Sequence, residues 1–129
     1  TAQKLKVSFV EKLSFTMHHL EAIKTEIRRF MEKVDYLYVT IDLDGFSSAY
    51  APGTSAASPM GFDPQIVLEC LAEIIKSNKL ISLDIAEMNP DYDLDYQTAK
   101  LAASLVHFVI HRLCFDCAQH DTLSRTHSG

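Results

Sequence analysis

Two β-rich runs joined by one amphipathic helix constrain this chain more than any other feature. "YLYVTID" ends at Asp42 and "LISLDIA" ends at Ala86, and both favour residues that suit a pleated, half-buried surface. Between them, Asp63-Pro64 is a helix opening, an N-cap acid followed by proline in the first turn. That helix is expected to run to about Ser77, with Ile66, Val67, Cys70, Leu71, Ile74 and Ile75 as its apolar stripe. Two strands linked through a helix make a parallel crossover, right-handed by steric preference.

The flanking segments extend the alternation. "LKVSFV" reads as a short strand, and residues 16–34 place Leu20, Ile23, Ile27, Phe30, Met31 and Val34 at helical spacing. Residues 43–62 read as a long Pro/Gly/Ser loop with no evident core of its own, and "MNPDYDLDY" as a second turn-rich loop. A last helix is expected from about Asp95, turning Ala99, Ala102, Ala103, Val106, Val109, Ile110 and Leu113 inward. The order argues for an α/β fold with a parallel sheet and helices on both faces. Three strands alone would leave both sheet edges open, so residues 1–129 read as the C-terminal portion of a single larger α/β domain.

Composition narrows the function classes. The formal charge of −5 disfavours nucleic acid and anionic membranes as partners. No stretch approaches the ~18 apolar residues of a membrane span, and the N-terminal region lacks a signal-peptide core. Cys70, Cys114 and Cys117 are too few and too unevenly placed for a secreted disulfide framework, which favours a reduced, cytoplasmic setting. The chain opens at Thr1 rather than Met, as a processed or truncated form would.

Chemistry enters with the acids at the strand ends. If the first strand continues through "TIDLD", Asp42 and Asp44 share a face, with backbones roughly 6.5–7 Å apart. Glu87 follows the second strand at the same C-terminal edge, where open parallel sheets form their ligand crevice. On neighbouring strands about 4.8 Å apart, three carboxylates would converge. Unpaired, they would repel and lose hydration, so a positive partner is required. Divalent metal ions suit carboxylate oxygen. The plainer reading is that acids at strand ends meet solvent or cap the next helix.

"TIDLDGFSSAYAPGT" and "LDIAEMNPDYDLDYQTAKLAA" resemble the C-terminal signatures of the ureohydrolases, the arginase, agmatinase and formimidoylglutamase family. The resemblance covers roughly residues 36–109. It implies a three-layer α/β/α arginase-like fold with a mostly parallel sheet, and two manganese ions bridged by hydroxide. The reaction implied is hydrolysis of a C–N bond in a guanidinium or formimidoyl group of a small molecule. By position, Asp42 resembles the carboxylate that bridges both metals and Asp44 the one that chelates a single metal. Glu87 resembles the catalytic acid that receives the cationic end of the substrate. Asn89 and Pro90 shape its turn, while Pro52, Gly53 and Thr54 match the loop walling the site, with Thr54 on the substrate side. Ser47-Ser48, where many members have Asp-Pro, points toward formimidoylglutamase and N-formimidoyl-L-glutamate, with arginase- or agmatinase-type hydrolysis as the alternative. The family's other metal ligands and its proton-shuttle histidine have no counterpart here. The isolated chain is therefore expected to bind manganese poorly and to need the missing N-terminal part of the domain as its partner. A diverged, non-catalytic binding or assembly module is the other alternative. Family members often form trimers or hexamers, which leaves room for a homo-oligomer.

Other motifs favour structural readings. His107, His111, Cys114, Cys117 and His120 offer zinc-type ligands but lack the second half of a zinc module, so core packing with an exposed tail is expected. Tyr36 and Tyr38 are expected in the core. His18 and His19 are expected on the surface, and "KTEIRRF" on a solvated helix face. Asp91, Asp93 and Asp95 lack the glycine and glutamate of a calcium loop, so capping and turn formation account for them.

Overall fold

The computed structural model describes residues 7–125 of the chain, with side chains described as far as residue 115. Helix α1 (Leu20–Met31), strand β1 (Leu37–Asp42), helix α2 (Pro64–Lys76), strand β2 (Leu80–Ala86) and helix α3 (Gln97–Arg125) follow in order. β1 and β2 pair in parallel, and Asp42 stands opposite Ala86 at the C-terminal end of the ladder. The fold is α/β, built on the expected crossover.

Asp63 caps α2 by accepting the Gln65 N–H at 2.7 Å, with Pro64 in the first turn. Asn78, at φ 55°, takes the left-handed position just past the helix, a conformation asparagine tolerates. Leu71 and Ile75 of α2 then meet Ile41 and Leu43 on one side and Leu105 and Val109 of α3 on the other. A second cluster, Ile23, Ile66 and Cys70, fastens α1 to α2. Burial pushes the Cys70 thiol up to about 11, which leaves it an inert packing group.

α2 and α3 pack on the sheet face that carries Val39, Ile41, Leu83 and Ile85. Tyr38, Thr40, Asp42, Ser82 and Asp84 are exposed on the strands between them. Alternation puts this polar set on the opposite face, so the second helical layer is not among the described residues. Tyr38 donates a hydrogen bond to Asp84 across the strands. Thr40 and Tyr38 together hold the Asp84 carboxyl below its usual range.

Several expectations are corrected. Residues 7–10 of "LKVSFV" form no strand, and residues 5–6 lie outside those described. The sheet has two strands here, and nothing pairs with the other edge of β1 among the described residues. A groove of about 1090 Å³ is lined there by Val7, Phe9, Phe15, Phe30, Leu37 and Val39, which explains why Phe30 stays half exposed. Tyr36 and Tyr38 are exposed rather than core, because the face that would cover them is bare. On α3 the buried stripe is Thr98, Leu105 and Val109, whereas Ala103, Val106, Ile110 and Leu113 are exposed. His107, His111 and Cys114 are exposed, whereas Val109 of the same stretch is buried in the core, so core packing holds for part of the stretch and the exposed tail expected begins beside it. Cys117 and His120 lie outside the described side chains.

The basic run of α1 is more than a solvated face. Lys24 bonds Glu69 at 2.7 Å and Arg28 bonds Glu73 at 2.7 Å, both across to α2. Hydrogen bonds from Lys24 and Arg28 hold the Glu69 and Glu73 carboxyls below their ordinary range. A depressed folded-state pKa gives stability that is present above the unfolded value and lost as pH falls through the folded one. Acidification below about pH 4 should therefore loosen α1 from α2, and paired Glu69→Gln and Glu73→Gln changes should flatten that part of a stability–pH curve. Leu71→Ala, which empties the core between sheet and helices, should cost about 2–5 kcal/mol in chemical denaturation.

Candidate functional site

The site begins where β1 stops. Leu43 is fully buried and pulls the chain down into the core, so the strand ends at Asp42 and residues Leu43–Gly45 form a 3-10 turn. Asp44 is thus not on the strand, and the alternation expected of "TIDLD" does not apply to it. A local bond relates the two acids instead, because the Asp42 carboxylate accepts the Asp44 N–H at 2.9 Å. Asp44 in turn accepts the Ala56 N–H at 3.4 Å. Asp42 is exposed and Asp44 half-buried.

The loop from residue 46 to 62 has a core after all. Phe46 and Ala51 are fully buried, and Phe46 meets Phe62 edge-on at 4.7 Å between centroids. Phe46 pairs with Phe62, and Ser47 with Ser58, in short bridges that fold the loop back on itself. "APGT" is thereby carried to the end of β2, where Thr54 pairs with Met88 in an antiparallel bridge. The Asn89 N–H donates to the Gly53 carbonyl at 2.8 Å.

Glu87 lies between these restraints. Ala86 before it is in the ladder opposite Asp42, and Met88 after it is bridged to Thr54. Glu87 itself is exposed and sits at φ 67°, in the left-handed region. For a residue with a Cβ this costs roughly 1–2 kcal/mol, which persists where neighbouring contacts fix the backbone.

Two further residues complete the arrangement, Thr98, which has no role in the sequence pattern, and Asp93, whose capping role was expected. Thr98, buried in the first turn of α3, accepts the Gly53 N–H on its Oγ1 at 2.7 Å. Asp93 accepts the Thr98 and Ala99 N–H groups at 2.7 and 2.9 Å, the capping role expected of this acid run. Burial works against the Asp93 charge, but those two donors, the Thr98 hydroxyl and the Lys100 charge together outweigh it and hold the carboxyl below its usual range. An acid shortly before a Thr-containing helix start is a capping signal that could have drawn attention to Thr98. Thr54 is 3% exposed and its Oγ1 has no partner, the kind of buried polar atom that calls for an explanation.

The carboxylates of Asp42 and Asp44 are hard oxygen donors of the type that divalent cations prefer. Among the described residues, no three or more His, Cys, Asp or Glu side chains gather closely enough to hold a metal ion. The residues described here fit part of a ligand set and do not complete one.

The family model for arginases matches residues 1–111. The chain belongs to the arginase family. It is 43% identical over 110 residues to a formimidoylglutamase of Clostridium tetani, covering 85% of this chain and 32% of that protein. A formimidoylglutamase of Staphylococcus aureus (strain Newman) is 44% identical over 106 residues, covering 82% and 34%. The chain thus spans about a third of the length of these curated relatives. Among solved structures it superposes on the agmatine ureohydrolase of Thermoplasma volcanium with a TM-score of 0.78 at 27% identity, covering 93% of this chain and 39% of that one. The arginase of Bacillus caldovelox matches in fold with a TM-score of 0.76 at 19% identity, covering 84% and 36%. The fold is arginase-like, with this chain supplying part of it.

Gly53 tests the junction at the centre of the site. A Cβ there would lie 2.5 Å from the Asp93 Cβ and 2.7 Å from its Cα. Gly53→Ala should force the two loops apart and lower the thermal midpoint by several degrees, the effect of about 1–3 kcal/mol of overpacking. A midpoint scan against wild type measures it.

Proposed function

We propose that the protein containing this chain hydrolyses C–N bonds of linear amidines, with N-formimidoyl-L-glutamate as substrate and glutamate and formamide as products. The observation that carries this reading is the 43–44% identity to formimidoylglutamases over a stretch that includes both acid-bearing loops. Ser47-Ser48, in the first of those loops, favours the same choice over guanidino substrates.

In this reading Asp42 and Asp44 are ligands to a manganese pair whose remaining ligands come from the rest of the domain. The pair, when bound, supplies hydroxide at neutral pH by lowering the pKa of a shared water. Glu87 accepts charge-assisted hydrogen bonds from the amidine nitrogens and holds the planar carbon in place. Its left-handed backbone, one residue past the partner of Asp42, supports the assignment because it turns the chain out of the ladder beside the metal-binding acids. Thr54, whose buried hydroxyl has no partner within this chain, is assigned in this reading to the substrate side of the site. The departing amine needs a proton from an acid, which this reading assigns to the part of the domain outside this chain.

A second reading, a diverged non-catalytic member or fragment acting as a binding or assembly module, draws on the apolar groove beside the free edge of β1. Assays of the full-length protein with manganese against formimidoylglutamate, agmatine and arginine separate the two. Turnover of formimidoylglutamate supports the hydrolase, and flat rates on all three support the module. Asp42→Ala should abolish activity together with manganese binding. Glu87→Gln should keep the metal, measured by elemental analysis, and lower kcat/KM by about 10²–10³-fold, the scale for one polar group aimed at a reacting centre.

A further inference from the structure

The acid proposed to hold the substrate sits in an unfavourable backbone region, and the bonds that keep it there can be followed outward from it. Met88 is bridged to Thr54. The Asn89 N–H is held by the carbonyl of Gly53. The Gly53 N–H, on the other side of the same residue, is held by the Thr98 hydroxyl oxygen in a buried bond of 2.7 Å. Thr98 is fully buried and lies in the first turn of α3, whose start is fixed by the Asp93 carboxylate. Gln97 adds a bond from its Nε2 to the Ala49 carbonyl at 2.5 Å, so α3 grips the same loop twice.

We propose that Thr98 is a positioning residue for Glu87, acting through Gly53 and Asn89 to hold the acid's turn against the metal-binding end of β1. This rests on the assignment of Glu87 to substrate binding above. A hydroxyl is what the place requires. The Gly53 N–H is buried, and a buried donor without an acceptor is costly, so the loop moves if the hydroxyl is lost. The loop and the Glu87 turn are pinned to each other by the Thr54–Met88 bridge and the Asn89–Gly53 bond, so movement of one displaces the other. A displacement of about 1 Å at a substrate-orienting group is enough to lose 10²-fold in rate.

The test compares Thr98→Val, which keeps shape and removes the acceptor, with Thr98→Ser, which keeps the acceptor and removes a methyl. Both are made in the full-length protein. Two readouts are taken: amide hydrogen exchange at Gly53 and Asn89, and kcat and KM with formimidoylglutamate per manganese-loaded molecule. Thr98→Val should speed exchange at both amides about tenfold or more and lower kcat/KM by about 10–100-fold at unchanged manganese content. Thr98→Ser should bring both within about threefold of wild type. Thr98→Ala carries the same expectations as the valine variant should that one fail to fold. The proposal is overturned if the valine or alanine variant leaves Asn89 exchange and kcat/KM at wild-type values, or if only thermal stability falls. It is equally overturned if serine does not restore them. A wild-type protein silent on every substrate would sink the functional reading instead. The exchange data would still decide the relay, because Asn89 protection either depends on the Thr98 hydroxyl or does not.

Discussion

Everything at the candidate site follows from one parallel pairing, β1 against β2, locked so that Asp42 faces Ala86. Parallel strands both end at the same edge, so the chain leaves them side by side and builds two loops next to each other. A slip of β1 by one residue would turn Ile41 to the polar face and Asp42 into the core, so burial on one side fixes the register strongly. Leu43 then ends the first strand by burying itself, and Glu87 ends the second by turning left-handed.

The polar face of this sheet makes physical sense for a chain that spans about a third of its relatives' length. Tyr38, Thr40, Ser82 and Asp84 bond one another or face open solvent, and the free edge of β1 borders an apolar groove. Both are surfaces that a compact monomeric domain normally covers. Among the described residues the sheet carries a hydrophobic core on one face only.

How much of this was legible in the residues depended on whether the signal was local. The crossover, the Asp63-Pro64 cap and the extent of β2 all rest on short-range pattern, and the structure places them within a residue or two. "LKVSFV" has the composition of a strand, but a strand needs a neighbour, and composition does not supply one. The α3 stripe was legible in part, at Ala102 and Val109, but apolar residues occur around much of that helix, so periodicity does not choose between Val106 and Leu105 as the inward position. The loop at 43–62 looked coreless because its Pro, Gly and Ser content masked Leu43, Phe46 and Ala51, whose burial depends on contacts distant in sequence. The strand-end acids were visible as a pattern, whereas the Asx turn linking Asp42 to Asp44 and the reach of Thr98 to Gly53 were not.

In the proposed enzyme this pairing delivers Asp42 and Asp44 to a metal and Glu87 to the substrate beside it. A crystal structure of the full-length protein grown with manganese, with anomalous diffraction recorded at the manganese edge, tests it most directly. The account predicts two anomalous peaks about 3.5–4 Å apart against the carboxylates of Asp42 and Asp44, with the Glu87 side chain facing them across the pocket. Peaks absent from those carboxylates, or a Glu87 side chain turned away from them, would contradict it.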